Sequence, residues 1–521
     1  MAKTSKLTML PLILVAVCII SSPVKAETSK YVFDPGQSTV VKTGGFAGVH
    51  VTYDVTGQFR LTVDSNSSIA LFEMVDANLA DESGSEYGRS LNDIFNMTGL
   101  ASTIINETTI EFEGKTADGT ESDVRLKLSL SNDIARLAGY TTPPPNSADM
   151  FFYDVNAVAI RKYAGGTGEP DNPYQISTAE DLITLGENPE DYDKHFILTA
   201  DIDLNTNLSD EKVFDRAVIA PDINDTETGF QGTGFTGVFD GNGHTISHLT
   251  IQGEGCLGLF GKLDSGSNVR NLGVVDVNIT GSGLYAGGLA GQNSGEISVC
   301  YSTGVVIAGR SVGGLVGYNS GNGIITNCAS HCTVSGFENI GGLLGNNGYG
   351  INCWVIRCFS TGMVTGTEDV GGLVGDNDAN IDDSLTDDND TNIIDSFWDM
   401  ETSGRAHSEG GTGKTTAEMQ TASTFLDAGW DFAGETENGT EDIWSICEGT
   451  NYPRFVWQIP TVDFVCPDGI TIEDFVFFME HWLDDNCDAS NGYCEGTDLD
   501  QSGTVDVIDL EIFFENWPTE N

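Results

Sequence analysis

The sequence predicts a mainly β protein built from repeats, with a small α-helical module at its C-terminus. Three observations predict this fold class. The 521 residues include 63 glycines but only 23 lysines and arginines, which favours turns and close backbone approaches over amphipathic helices. A Gly-Leu pattern recurs five times in the middle of the chain. Near the end, an acidic loop precedes an apolar stripe with helical spacing.

Residues 1–26 are predicted to form a cleaved signal peptide. Lys3 and Lys6 precede an apolar run from Leu7 to Ile20, and small residues follow it up to residue 26. A lipidation site at Cys18 is the weaker alternative, because Val17 stands where such signals require a small residue. No later segment is apolar enough to span a membrane. We therefore expect a protein that is secreted or exposed at the cell surface.

The net charge and the cysteine spacing limit which ligands and metals the protein is expected to bind. A formal net charge of -55 repels nucleic acid and anionic membranes and attracts divalent cations, so nucleic-acid binding is excluded. Three close cysteine pairs are predicted to be disulfides or buried thiols rather than zinc ligands, because only 7 histidines are present. These pairs are Cys328 with Cys332, Cys353 with Cys358, and Cys487 with Cys494.

Residues 27–163 are predicted to form an N-terminal β-sandwich-like domain, with a barrel as the alternative. Short runs rich in β-branched and aromatic residues are separated by turn residues, for example at 50–55, 58–63 and 124–128. Three consecutive prolines at 143–145 form a stiff turn before the last strand-like run.

Residues 164–395 are predicted to form a β-solenoid with an N-terminal cap. Ser177 and Glu180 have capping-box spacing, which predicts one short helix before the strands begin. Five Gly-Leu repeats then follow roughly every 26 to 30 residues, at 258–261, 287–291, 313–317, 341–345 and 371–375. Stacked units of this kind bury Leu and Val between coils, while Gly permits tight corners.

These repeats resemble the GLUG motif of bacterial secreted and surface proteins. The lead-in from residues 171–176 to 240–246 and the lead-out from 397–399 to 451–454 resemble the flanks of such regions, so the likeness covers roughly half the chain. The resemblance implies a right-handed β-helix followed by a C-terminal cap or linker over residues 396–461. It carries no catalytic residues.

Residues 462–521 are predicted to form a calcium-binding module. The run 498–509 places oxygen ligands at loop positions 1, 3, 5, 9 and 12, and Gly503 at position 6. The predicted ligands of one Ca²⁺ ion are Asp498, Asp500, Ser502, the carbonyl of Thr504, Asp506 and Asp509. Leu510, Phe513, Phe514 and Trp517 follow as a helical stripe, and together with Asp509 they resemble a type I dockerin. That resemblance implies a cohesin-like or cell-surface protein partner.

The first half of the module departs from the dockerin pattern. Residues 474–482 align with 509–517, which predicts an earlier helix, but Val465 and Pro467 stand where ligands would be needed. Asp468 and Gly469 are also one residue too close to Asp474 for the usual register. The module is therefore expected to bind one calcium ion rather than two.

Three other patterns have weaker functional interpretations. Residues 410–416 imitate a phosphate-binding loop, but a Gly turn followed by a short helix from about Thr415 is the preferred interpretation. His244 and His248 have the spacing of a zinc protease without its Glu, and they lie in a strand-like context. The Asp-dense stretch between Asp376 and Asp395 is expected to be a solvated loop, with a second calcium site as the alternative.

The function predicted from these features is binding rather than catalysis. We expect a β-helix face that binds polysaccharide or other surface ligands, and a calcium-binding tail for attachment. The alternative is a carbohydrate-active enzyme, either a polysaccharide lyase or a glycoside hydrolase, or an accessory subunit of a polysaccharide-degrading assembly. Such an enzyme needs paired carboxylates on one face. In the repeats, Glu296, Glu338 and Glu368 are scattered.

Overall fold

The computed structural model describes strands within residues 27–161 and most of residues 162–517. The gaps after residue 162 are 206–212, 225–228, 349–352, 379–391, 467–468 and 489–490. The predicted signal peptide lies outside the described residues. The described strands up to Arg161 belong to one compact unit, and the chain from Gly166 onward forms a second.

The first unit contains nine strands that pair into one antiparallel sheet. Phe151–Arg161 lies at its centre and pairs with Ile134–Thr142 on one side and with Thr39–Gly44 on the other. The strands are Glu27–Phe33, Thr39–Gly44, Val49–Asp64, Ile69–Ala80, Met97–Asn106, Thr109–Thr116, Asp123–Ser131, Ile134–Thr142 and Phe151–Arg161. The described strands form one hydrogen-bonded sheet, and the β-sandwich-like domain over residues 27–163 remains a prediction.

The second unit is a β-solenoid, in which successive coils pair in parallel. This confirms the predicted mainly β fold with a solenoid of repeats. The longest of its three sheets has 17 strands. These are Tyr174–Ile176, His195–Leu198, Ile202–Asp203, Val213–Phe214, Val238–Ser247, Thr250–Gly253, Asn268–Gly281, Glu296–Ile307, Ile324–Thr326, Ala329–Ser330, Thr333–Ser335, Trp354–Ile356, Phe359–Ser360, Val364–Thr365, Ile393–Ile394, Phe397–Asp399 and Thr412–Lys414.

Two shorter sheets of five strands each complete the coils. One contains Cys256–Leu257, Tyr285–Ala286, Arg310–Gly313, Glu338–Gly341 and Glu368–Gly371. The other contains Phe260–Leu263, Ala290–Asn293, Val316–Asn319, Leu344–Asn347 and Val374–Asn377. Each Gly-Leu repeat therefore forms the corner between these two sheets.

The repeats need glycine because neighbouring corners stack backbone on backbone. A Cβ on Gly314 would lie 1.9 Å from Ser330 Oγ and 2.4 Å from the carbonyl oxygen of Gly342. The Leu that follows points inward in every coil and has no exposed surface; these residues are Leu259, Leu289, Leu315, Leu343 and Leu373. The motif thus combines a tight corner with a buried apolar column.

A ladder of asparagines runs through the same stack of coils. The Nδ2 group of Asn293 donates to Asn319 Oδ1 at 2.9 Å, and Asn319 Nδ2 donates to Asn347 Oδ1 at 2.9 Å. Asn347 Nδ2 donates to Asn377 Oδ1 at 3.1 Å, and Asn377 Nδ2 donates to Asn392 Oδ1 at 3.2 Å. Each buried amide therefore satisfies the next, as a polar column inside a solenoid requires.

The described α-helices are short. One precedes the solenoid repeats, and the others follow them. The predicted first helix is present, but its cap is one residue later than expected, because Thr178 and Asp181 form the capping box instead of Ser177 and Glu180. The helices are Ala179–Glu187, Met400–Ser403, Thr416–Met419, Ala422–Leu426, Ile472–Glu480, Gly492–Glu495 and Val507–Glu515, with 3-10 turns at Pro189–Asp191 and Val456–Gln458.

After the last coil the chain turns back along the side of the solenoid. Residues 416–458, here called the strap, cover a row of outward side chains on consecutive coils: Tyr301, Ala329, Phe359 and Phe397. Ring centroids of Phe359 and Trp444 lie 5.8 Å apart, and those of Tyr301 and Trp457 lie 5.7 Å apart. Much of the segment predicted as a cap or linker therefore packs across several coils.

Candidate metal centre and solenoid flank

The predicted calcium loop leads directly into the last described helix, Val507–Glu515. Asp506 is the N-cap of this helix, and it forms a capping box with Asp509. Gly503 has φ +97°, a conformation that strongly favours glycine at the sixth position of the loop. Asp498 and Asp509 are buried, with 2% and 0% of their surface exposed. The loop therefore holds two carboxylates away from bulk water.

Three of the six predicted ligands come together. One carboxylate oxygen from each of Asp498, Asp500 and Asp509 lies within 4.8 Å of the others. Backbone amides hold these groups in place: Gly503 N donates to Asp498 Oδ2 at 2.9 Å, and Asp500 N donates to Asp509 Oδ1 at 3.0 Å. The cluster offers hard oxygen ligands of the kind that Ca²⁺ prefers.

The carboxylate of Asp506 lies outside this cluster, and Ser502 and Thr504 contact each other. Ser502 Oγ donates to the Thr504 carbonyl at 3.3 Å, and both residues are exposed. Asp506 Oδ1 accepts the amide of Ile508 at 2.8 Å, which uses one of its oxygens as the helix cap. Of the four aspartates that the sequence pattern predicted as ligands, those at the first, third and last loop positions converge.

In the first half of the module, hydrogen bonds fix the carboxylate that corresponds to Asp509. Asp474 is buried, and its Oδ1 accepts the amides of Phe464 and Val465 at 2.7 and 3.0 Å. Its Oδ2 accepts both the amide and the hydroxyl of Thr471, at 2.8 and 3.0 Å. The carboxylate that corresponds to Asp509 therefore has four hydrogen-bond donors from the protein.

Two disulfides fix this module. Cys487–Cys494 joins one of the predicted close pairs, whereas Cys447–Cys466 joins the strap to the first loop and is a pairing that the spacing did not indicate. Cys328, Cys332, Cys353 and Cys358 are buried free thiols. Burial raises the pKa of Cys328 and Cys358 well above the ordinary thiol value, which favours the protonated thiols.

The apolar stripe of the last helix is only partly buried. Phe513 lies in the core of the module with Phe478 and Val505, but Phe514, which the spacing grouped with it, is 52% exposed. Several other large apolar side chains are also exposed, on the helices Ile472–Glu480 and Val507–Glu515 and at Leu483 just after the first of them. We call this set the apolar face: Ile472, Val476, Met479, Leu483, Val507, Ile508 and Phe514.

The weaker sequence candidates have structural interpretations. His244 Nδ1 lies 3.3 Å from Asp201 Oδ1, and His248 Nδ1 lies 3.0 Å from Asp203 Oδ1, so each histidine pairs with its own carboxylate. In the phosphate-loop-like segment, Thr415 caps the short helix Thr416–Met419, as the preferred interpretation predicted.

The described part of the Asp-dense stretch contains a perturbed carboxyl group. Burial first, and then the charges of Asp378 and Asp369, raise the pKa of Asp376 to about 6. Asn346 Nδ2 donates to Asp376 Oδ2 at 2.7 Å. Residues 379–391 lie outside the described residues, and the second calcium site suggested there remains a prediction.

Together these features define a class of protein: a parallel β-solenoid of stacked repeats, strapped along one side and joined to a disulfide-linked helical module. Within the solenoid, residues 308–336 match the family model described as the GLUG motif. This segment is one full coil, and it includes the corner at Gly313 and Gly314.

Two relatives are similar over longer stretches. The chain is 29% identical over 288 residues to halomucin of Haloquadratum walsbyi, a match that covers 53% of this chain and 3% of halomucin. It is 30% identical over 159 residues to a Gly-rich membrane protein of Evansella cellulosilytica, a match that covers 28% of this chain and 16% of that protein. The chain thus spans a small part of both relatives. Among the described residues, no helix is long and apolar enough to cross a membrane.

Proposed function

We propose that this protein is a secreted or cell-surface binding protein. The solenoid displays an extended surface to glycans or other surface ligands, and the helical module attaches the protein through a calcium-stabilised loop. The observation that carries this proposal is the GLUG solenoid: stacked coils present the same positions repeatedly along one axis. Halomucin and the Gly-rich membrane protein, whose names indicate a mucin and a membrane protein, share sequence with this chain.

The carboxylate cluster of the loop supports a bound Ca²⁺ ion. Asp498 and Asp509 are buried, and oxygens of these residues and Asp500 lie within 4.8 Å of one another. Burying like charges at this separation is unfavourable unless a cation neutralises them. Asp498, Asp500 and Asp509 would hold the ion directly, and Ser502, the Thr504 carbonyl and Asp506 would complete the set. The ion would stabilise the loop between the two helices.

The apolar face supports a docking role for the same module. Six of its exposed side chains lie on the helices Ile472–Glu480 and Val507–Glu515, and Leu483, just after the first of these helices, is 71% exposed. Exposed apolar clusters on a small domain typically mark a protein-interaction surface. A cohesin-like or other cell-surface protein is the partner that we propose.

Calcium titration of the whole protein tests the proposal. We expect one Ca²⁺ per chain by calorimetry, and at a calcium concentration 100 times the Kd an added stability of about 2.7 kcal/mol. Asp498→Asn and Asp509→Asn should each weaken binding by more than about tenfold, because each removes a charged ligand. The same variants should be retained less well on isolated cell envelopes in calcium buffer.

Glu511→Gln provides the matched control. It removes an exposed carboxylate from the helix that follows the loop, so both calcium affinity and envelope retention should match the parent protein. Equal calcium binding by the parent and Asp498→Asn would contradict the assigned site. Turnover of an acidic polysaccharide by the parent protein would instead favour a carbohydrate-active enzyme.

A further inference from the structure

A pocket of about 330 Å³ lies between the solenoid and the strap. Asn327 and Arg357 line it from two consecutive coils, and Asp431, Gly439 and Glu441 line it from the strap. We call it the flank pocket. Because its walls come from segments far apart in sequence, the repeat pattern gives no direct sign of it.

The solenoid wall of the flank pocket is a corner with left-handed backbone. Residues at this position have positive φ in five consecutive coils: Asn271, Val299, Asn327, Arg357 and Asp395. Arg357 has φ +51°, which is costly for a long side chain. Its Nη1 group donates to the Gly429 carbonyl at 3.4 Å. This corner directs one guanidinium group toward the strap.

Within the described part of the chain, two residues that line the flank pocket each have a buried charged atom without a hydrogen-bond partner. Arg357 Nε and Asp431 Oδ1 are both buried, and neither forms a hydrogen bond. The other oxygen of Asp431 accepts the amide of Glu441 at 3.0 Å, which fixes the carboxylate. Only 9% of Asp431 is exposed. An orphaned donor and an orphaned acceptor of this kind carry a substantial desolvation cost.

The two atoms without a partner, Arg357 Nε and Asp431 Oδ1, limit the kind of ligand that would fit. A phosphate or carboxylate would satisfy Arg357 but would meet the negative charges of Asp431 and Glu441. A metal ion or an amine would satisfy those carboxylates but would meet the Arg357 guanidinium. A hydroxyl group can accept from Arg357 Nε and donate to Asp431 Oδ1. Neighbouring hydroxyl groups on one molecule can satisfy both atoms at once.

We propose that the flank pocket binds one residue of a neutral sugar through adjacent hydroxyl groups, which bridge Arg357 Nε and Asp431 Oδ1. The inference rests on the proposed function, since it assigns a ligand class and a place to the glycan binding suggested there. A volume of about 330 Å³ lies within the range of small-molecule sites and accommodates a single sugar ring. Buried Asn327, which is 6% exposed, adds an amide to the wall.

The test is a titration of the whole protein with neutral hexoses and short neutral oligosaccharides, followed by NMR and calorimetry. Asp431→Asn keeps the shape of the side chain. Its oxygen would remain on the Glu441 amide, so an NH₂ group would replace the acceptor that faces the ligand. Arg357→Met keeps the apolar stem and removes the donor. Each variant should weaken binding by about tenfold or more.

Asp442→Asn is the control, because Asp442 is exposed in the same segment of the strap and does not line the pocket. It should bind the sugars as the parent does. Sugar binding that is equal in the parent and Asp431→Asn would overturn the flank pocket as the site while leaving glycan display intact. A crystal of the sugar-soaked protein with only ordered water between Arg357 and Asp431 would also overturn it.

Discussion

At the scale of single residues, His331 links the solenoid to the strap. Its ring lies 5.4 Å from that of Phe359 and 6.3 Å from that of Tyr452 in the strap, measured between centroids. Its Nδ1 atom lies 2.6 Å from Thr361 Oγ1. Burial first, and then the charge of Arg454, lower the pKa of His331 from 6.5 to about 4. The folded protein therefore holds this imidazole neutral.

The depressed pKa predicts a loss of stability in acid. Above pH 6.5 the imidazole is neutral in both the folded and the unfolded state, so it does not lower the free energy of unfolding. As the pH falls from 6.5 to about 4, His331 binds a proton in the unfolded chain but not in the folded protein, so the free energy of unfolding decreases. The decrease attributable to His331 has an upper bound of about 3 kcal/mol. Denaturant unfolding at several pH values measures it.

His331→Gln should flatten this part of the pH profile, because glutamine does not titrate. His407→Gln is the control, since His407 is exposed and lies outside the contact between strap and coils. Parallel pH profiles for the parent and His331→Gln between pH 6.5 and 4 would show that the ring is not held neutral as described.

Single residues also show how far sequence analysis reaches. The predicted calcium ligands are close in sequence, so the pattern could be found by spacing, and the carboxylates of Asp498, Asp500 and Asp509 do converge. Arg357 and Asp431 are far apart in sequence, and only the return of the strap brings them to one pocket. The disulfide between Cys447, in the strap, and Cys466, after the strap, was likewise not predicted from the spacing. Aligning the coils on their buried cysteines would have revealed the corner that contains Arg357, but not its partner.

At the scale of the structural element, the asparagine ladder stabilises the corner between the coils. Asn319 is fully buried and bonds to both neighbouring coils through its amide group. Its Nδ2 group also donates to the Gly323 carbonyl at 3.0 Å. In the sequence, Asn follows within two residues of each of the last four Gly-Leu repeats, but this spacing does not predict that the side chains point inward. Periodicity identifies the turn, whereas the direction of the side chain depends on the stacked coil.

Asn319→Ala is expected to destabilise the protein by about 3 kcal/mol, because it leaves buried amide groups on two coils without a partner. Asn205→Ala should cost less than about 0.5 kcal/mol, since Asn205 is exposed outside the ladder. Equilibrium urea unfolding compares the two. Equal stability of both variants would mean that water replaces the ladder without cost.

At the scale of the whole molecule, the strap packs against coils that lie far before it in the sequence. The sequence alone suggests that the strap simply follows the last coil. The repeats predict a solenoid because each coil repeats one spacing, and the structure confirms it. The strap carries no such spacing. Its Phe425, Trp430, Trp444 and Phe455 form a buried cluster with Phe359 of the solenoid. Packing of this kind arises only when the coils are already stacked, so local sequence cannot indicate its location.

The disulfide between the strap and the helical module should contribute to the stability of that junction. Cys447 and Cys466 close a loop with a sequence separation of 19. Cys466→Ser should lower the free energy of unfolding by about 3 kcal/mol by the loop-entropy estimate. It should also increase the rate of amide exchange near residues 447–466 more than in the coils at 268–307. Mass spectrometry of hydrogen exchange measures this difference.

Cys494→Ser provides the comparison, because Cys487 and Cys494 close a shorter loop with a separation of 7 and should contribute about 2 kcal/mol. It should speed exchange in the helical module and leave the strap unchanged. Uniformly faster exchange in the coils of Cys466→Ser would contradict a local role for the junction.

The course of the strap also determines how the molecule would carry a mechanical load. If the helical module is anchored, tension along the chain reaches Cys466 and crosses the disulfide to Cys447, bypassing the residues between them. It then enters the solenoid through aromatic contacts on several coils rather than at the free edge of the last one. The coils are therefore loaded in shear across their flank, and not peeled away one at a time.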